Sequence, residues 1–230
     1  AEKSGISRQA LHALETGAVD PKSSTLISVA NTLGVKISDF FAPIRMAESV
    51  RFRISNTNNK KDNDTRNYEI IKITNWLEQY NYLERNLGFE FEYDFLNIAS
   101  SHPREAAKEI RKQLKLDQDE PINDIVSLLE HHGIKIYSHS PNLYKYFGMS
   151  IGLSSGGPLI AINTNAEIPT ERKIFTFAHE FGHLILHKNS YKKNSIEDVN
   201  EEENSANIFA SYFLMPEKAF TKKFDESKGL

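Results

Sequence analysis

Cysteine is absent from all 230 residues. That excludes disulfide bridges, thiolate catalysis, iron–sulfur clusters and cysteine-type zinc sites, so any metal here must be held by imidazole and carboxylate. Long apolar runs are missing as well. The mean hydropathy is −0.49, and no stretch approaches the roughly 18 apolar residues that a membrane-spanning helix needs. The opening Ala1-Glu2-Lys3-Ser4-Gly5 is polar and leads into no apolar secretory core. A charge excess of one sign is lacking too: 28 basic and 31 acidic residues leave a net charge of −3. No chain-wide field therefore draws the protein onto nucleic acid, and any DNA contact has to be local. What remains, 39% hydrophobic and 26% charged residues, is the composition of a globular chain with room for one large domain or two modest ones.

The hydrophobic patterning divides the chain. Residues 1–45 read as a small all-helical unit. Ser7 is placed to cap a helix over 8–15 that Gly17 ends, and a second helix carries Leu26, Val29, Ala30 and Leu33 on one face with Gly34 as its stop. Residues 46–67 hold the tract Ser55-Asn56-Thr57-Asn58-Asn59-Lys60-Lys61-Asp62-Asn63-Asp64, with almost nothing to bury, and are expected to be a linker. Residues 68–100 begin with an amphipathic helix over 68–87. Strict alternation over 89–95 follows, with Phe89, Phe91, Tyr93 and Phe95 against Glu90, Glu92 and Asp94, which predicts an edge strand; a lid over a cleft is the alternative. From 101 to 230 the pattern is α+β. One helix starts at Pro103, another at Pro121 and ends at Gly133, strands are expected over 134–137, 147–153 and 158–163, and helical text runs from Pro169 to Met215-Pro216.

The most informative residues are His179-Glu180-Phe181-Gly182-His183. Two histidines four apart share one helical face a turn apart, where both reach one ion, and Glu180 projects beside them as a general base for a metal-activated water. The neighbours Ile174, Phe175, Phe177, Phe181, Leu184, Ile185 and Leu186 make this helix apolar on nearly all sides, hence buried. The third-histidine pattern H-E-x-x-H-x-x-G-x-x-H is absent, because Leu186 and Asn189 stand where its glycine and histidine would be. His187 shares the face of His183, but three ligands in line on one straight helix cannot surround an ion, so it reads as an ordinary helix-end histidine.

A better third ligand lies downstream. Ala206, Phe209, Ala210, Phe213 and Leu214 follow helical spacing, and on that helix Glu203 and Asn207 sit one turn apart on a common face. A glutamate ligand with a polar residue one turn on, able to hydrogen-bond a ligand histidine, is a coherent pairing. The plain alternative is that Glu201, Glu202 and Glu203 form a solvated acidic turn favoured by the helix dipole.

The stretches FAHEFGHLILH over 177–187 and ENSANIFASYFLMP over 203–216 resemble the ImmA/IrrE family of zinc metallopeptidases nearly position for position, and the likeness extends upstream over about half the chain. The resemblance implies a zincin-like domain with a small three-stranded sheet and an active-site helix pair, and Zn2+ held by His179, His183 and Glu203. It also implies Glu180 as the base of peptide hydrolysis. A substrate in extended form could add alongside the strand expected at 147–153 or at 158–163; Tyr212 and His187 are candidates to support the oxyanion.

The first forty residues resemble the Cro/C1-type (XRE) helix-turn-helix, with Ala1, Gly5, Ile6, Ser7, Leu11, Glu15, Gly17, Pro21, Thr25, Leu26, Ala30, Leu33, Gly34 and Val35 on the family pattern. The resemblance implies that the helix starting at Ser7 enters the major groove, with Arg8, Gln9 and His12 facing bases or phosphates. The electrostatic footprint is thin, since residues 1–45 hold five basic against four acidic side chains. The family's first helix would precede Ala1, so the chain reads as part of a longer protein with a partial helix-turn-helix. Together the resemblances imply a cytoplasmic zinc endopeptidase fused to a DNA-binding module, cleaving a transcriptional repressor to switch on stress-response or mobile-element genes. Expected partners are that protein substrate, DNA and a second copy of the chain, and no membrane. Two other readings stand beside it: a DNA-binding regulator whose peptidase-like domain senses a ligand or partner without proteolysis, and an antitoxin-like module that holds a partner protein.

Overall fold

The computed structural model describes residues 1–16, 18–41, 50–52, 60–89, 91, 93, 98, 100–141, 146–188 and 196–228. These fall into two compact units, Ala1–Ile44 and Arg45–Leu230.

In the first unit a 3-10 turn, Glu2–Ser4, leads through Gly5 at φ 66° into α1 (Arg8–Glu15). Gly5 sits in the left-handed region that side chains with a Cβ disfavour, which is why the tight entry to α1 uses glycine. The Ser7 side chain accepts a hydrogen bond from Ala10 N at 3.1 Å, as a helix N-cap should. Thr16 closes α1; Gly17, the expected stop, lies outside the described residues. α2 (Ser23–Leu33) ends at Gly34, and Ile37–Phe40 forms a 3-10 turn. Ser28 Oγ donates to Ser4 O at 2.6 Å, tying α2 to the turn before α1. The side chains of Arg8, Gln9 and His12 are exposed on α1.

The second unit is α+β. Its sheet contains the three expected strands, β2 (Lys135–His139), β3 (Gly148–Ile151) and β4 (Leu159–Asn163), and a fourth, β1 (Val50–Phe52), which sequence reading does not anticipate. The order is β1-β3-β4-β2, with β2 parallel to β4 and the other pairs antiparallel. β4 therefore lies inside the sheet and has no free edge, which removes 158–163 as a place for a substrate to pair. Along β4 the side chains alternate between two cores. Leu159 and Ala161 join Met149, Ile151 and Tyr146 under α3 (Lys60–Leu87), which contributes Ile70, Ile73 and Leu77. Ile160 and Ile162 face the larger core made with α4 (Pro103–Gln113), α5 (Ile125–His131), α6 (Thr170–Leu186) and α7 (Ile196–Leu214). A last helix, α8 (Glu217–Lys228), follows Pro216.

Three expectations shift. α3 begins at Lys60, inside the polar tract read as a linker, because a helix already docked by Ile70, Ile73 and Leu77 extends more easily than a new one nucleates. α5 begins at Ile125 rather than Pro121, because Asp124 supplies a cap: its carboxylate accepts from Ser127 N at 3.0 Å and from Ser127 Oγ at 2.7 Å. Of the alternating stretch 89–95, the described Phe89, Phe91 and Tyr93 belong to none of the four strands, and the other positions lie outside the described residues. Tyr93 Oη instead donates to Gly133 O at 3.2 Å.

An ion pair fastens α3 to the start of β2. Glu84 pairs with the buried Lys135 at 2.9 Å, and Glu69 stands 3.2 Å from His139 Nδ1. Burial, helped by the charge of Lys72, pulls His139 down to about 4, so its ring is neutral near pH 7. Its other nitrogen lies 3.1 Å from Tyr146 Oη.

Candidate metal centre

α6 and α7 make the site by packing face to face. Phe181 on α6 meets Phe209 and Phe213 on α7 at ring separations of 5.8 and 5.2 Å, and all three are fully buried. Gly182 permits the approach: a Cβ there would lie 3.0 Å from the Phe209 ring and 3.4 Å from Ala206 Cα. The close crossing brings Glu203, near the middle of α7, against the histidine face of α6.

His179 Nε2 and His183 Nε2 lie 3.1 Å apart. Glu203 presents Oε2 3.3 Å from the first and Oε1 3.2 Å from the second. The two nitrogens and the two carboxylate oxygens thus lie at separations close to the about 3.3 Å between neighbouring corners of a metal tetrahedron with bonds of about 2.0–2.1 Å. His179, His183 and Glu203 are a group that could hold a metal ion. Both rings are essentially buried, at 1% exposure, while Glu203 is half-buried. Burial pushes the Glu203 carboxyl up, but hydrogen bonds to the His179 and His183 rings outweigh it and hold the group well below the usual carboxylate range.

Each ring is also held from behind. His179 Nδ1 lies 2.9 Å from Asn207 Oδ1, so an Nδ1–H donated to that amide leaves the Nε2 lone pair facing the centre. His183 Nδ1 lies 2.9 Å from Nδ1 of His187. The Asn207 contact is the one expected from helical phase. His187 is not the plain helix-end residue expected: it caps α6, is only 8% exposed, and holds its ring 5.0 Å from that of His183, tilted by 49°. Two ring nitrogens and a carboxylate thus face one point, and this nitrogen–nitrogen–oxygen donor set suits a divalent transition metal.

Glu180 is not among the converging atoms. It is 2% exposed, and its Oε2 accepts a hydrogen bond from Ser150 Oγ on β3 at 2.9 Å. Ser150, itself fully buried, is a residue that sequence reading misses; only the pairing of β3 over α6, thirty positions away, exposes its part. Tyr212 carries the Arg104 guanidinium over its ring at 5.1 Å.

Among the described residues, no helix is long and apolar enough to cross a membrane. No curated protein and no solved structure gives a significant match to the chain. Two family models do match: residues 129–229 correspond to the IrrE N-terminal-like domain, a metallopeptidase family, and residues 1–40 to the helix-turn-helix. His179, His183, Glu203 and Glu180 all fall within the first match, and α1 and α2 within the second. The chain thus joins a segment similar to the XRE-type helix-turn-helix to a segment similar to the IrrE N-terminal-like domain.

Proposed function

We propose that the protein is a zinc-dependent endopeptidase of the cytoplasm, coupled to DNA through its helix-turn-helix, whose substrate is a transcriptional repressor. The observation that carries this reading is the convergence of His179, His183 and Glu203 with a separate buried carboxylate, Glu180, beside them. Those three residues would hold the ion, with Asn207 and His187 fixing the two rings. When bound, zinc supplies a Lewis acid that acidifies water and polarises a peptide carbonyl. Glu180, positioned by the Ser150 hydroxyl that donates to its Oε2, would take the proton from the attacking water and pass it to the departing amine. The domains follow the same reading: a DNA module over 1–45, a connector over 46–67 whose last residues already belong to α3, a helical region over 68–100, and the peptidase over 101–230. In the DNA module Arg8, Gln9 and His12 are the exposed side chains on α1 that would meet the duplex, Gln9 suited to adenine and Arg8 to guanine or phosphate, with Ser7 fixing the start of that helix.

One observation favours a second reading. The helix-turn-helix lies on the same chain as the peptidase domain, although a protease acting on a free repressor has no need of its own DNA contact. In that reading the protein is a regulator that senses a ligand or partner and cuts nothing. Unfolded β-casein separates the two. Zinc-loaded protein is expected to hydrolyse it and a chelator to stop the reaction. Intact casein after prolonged incubation, with DNA binding retained, rejects the peptidase reading in favour of the regulator.

A further inference from the structure

Among the described strands β1 has one partner, β3. Val50 pairs with Ile151, Arg51 with Ser150 and Phe52 with Met149, all antiparallel along the outer side of β3. β3 is also the strand that touches the proposed base. Ser150 donates its hydroxyl to Glu180, and a Cβ added to Gly148 would come 3.3 Å from Glu180 Cγ. β4 is closed on both sides by β2 and β3, so among the described strands the outer side of β3 is the place beside Glu180 where an extended peptide can join by main-chain hydrogen bonds. The chain itself has taken that place over three residues. β1 also lies between the helix-turn-helix match, which ends at 40, and the start of α3 at Lys60, so it comes from the connector and not from the peptidase core.

We propose that Val50–Phe52 occupies the edge on which an extended substrate pairs, so that the chain carries a built-in competitor for its own peptide site. The inference rests on the peptidase reading for the meaning of Glu180, but the occupied edge is testable without it. A competitor tied to the same chain lowers apparent substrate affinity by the fraction of time the edge is free. Arg51, opposite Ser150, stands in for the substrate residue nearest the base. Release of β1, with the connector that joins it to the DNA module, opens the site.

The test compares the full chain with a variant carrying Val50→Pro, Arg51→Pro and Phe52→Pro, because proline has no N–H and cannot complete a ladder. Arg51→Pro alone serves if the triple change lowers the thermal midpoint. The first readout is fluorescence anisotropy of a labelled synthetic peptide with the sequence of residues 48–54, in a Glu180→Gln background so that the probe survives. The proline chain is expected to bind it at least about tenfold more tightly than its parent. Equal binding overturns the inference. The second readout is β-casein hydrolysis by the two zinc-loaded chains with Glu180 intact, expected to be at least about tenfold faster without β1. Equal rates in two active chains also overturn it. Tighter binding with hydrolysis in neither chain upholds the occupied edge and rejects the peptidase reading alone.

Discussion

Replacing Glu180 with glutamine is expected to lower kcat for peptide hydrolysis about 10²–10⁴-fold while the protein keeps its metal. Glutamine has the shape of glutamate and retains an oxygen to accept the Ser150 hydroxyl, so the link between α6 and β3 survives. What is lost is the ability to take a proton from water. Metal retention should be unaffected, because the converging atoms belong to His179, His183 and Glu203 and not to Glu180. Hydrolysis of β-casein measured beside metal content checks both halves. Cleavage that persists at the parent rate contradicts the assignment of Glu180 as the base; loss of metal together with activity shows that Glu180 is a ligand.

The largest expected effect on stability lies away from the site, at Arg111 on α4. This side chain is 2% exposed and satisfies three backbone carbonyls at once. Nη1 donates to Phe213 O at 2.6 Å, and Nη2 donates to Glu120 O at 2.5 Å and to Asp117 O. It thereby joins the C-terminal end of α7 to α4 and to the turn that precedes α5. Arg111→Met keeps much of the bulk and removes every donor. Buried carbonyls left without partners cost about 1–3 kcal/mol each, and part of that is recovered because the cation no longer has to be desolvated. The expected net loss is about 3–5 kcal/mol, which for a unit of this size lowers Tm by roughly 10 °C. Thermal unfolding followed by circular dichroism measures it. A shift of under about 2 °C contradicts the role given to the guanidinium. Because α7 carries Glu203 and Asn207, the same variant is expected to hold metal less tightly.

The parts of this protein that can be read from the sequence are those written within one helix. The spacing of His179 and His183 places them on a common face whatever surrounds them, and the phase of Glu203 with Asn207 and Ala206 does the same on α7. That is why the three converging residues and the amide behind His179 can be named before the fold is known. Ser7 as a cap is similarly local. What escapes is decided by pairing between distant segments. Nothing around Ser150 points to Glu180, since their contact exists only because β3 crosses α6. His187 looks like a helix-end residue until its ring meets that of His183. β1 is three residues long, too short for a period-two signal to stand out beside a polar tract, and its strand state comes wholly from β3. The start of α5 is a contest between two local signals, Pro121 and Asp124, that the side-chain cap wins.

The most direct measurement is the metal content of protein purified without chelator or added zinc, beside the Glu203→Ala variant prepared identically. If His179, His183 and Glu203 hold a catalytic ion, the parent carries about one zinc per chain, as expected for a single three-ligand site, and the variant clearly less. A parent that binds no metal even when zinc is offered, or a variant with undiminished zinc, contradicts the assignment of this centre.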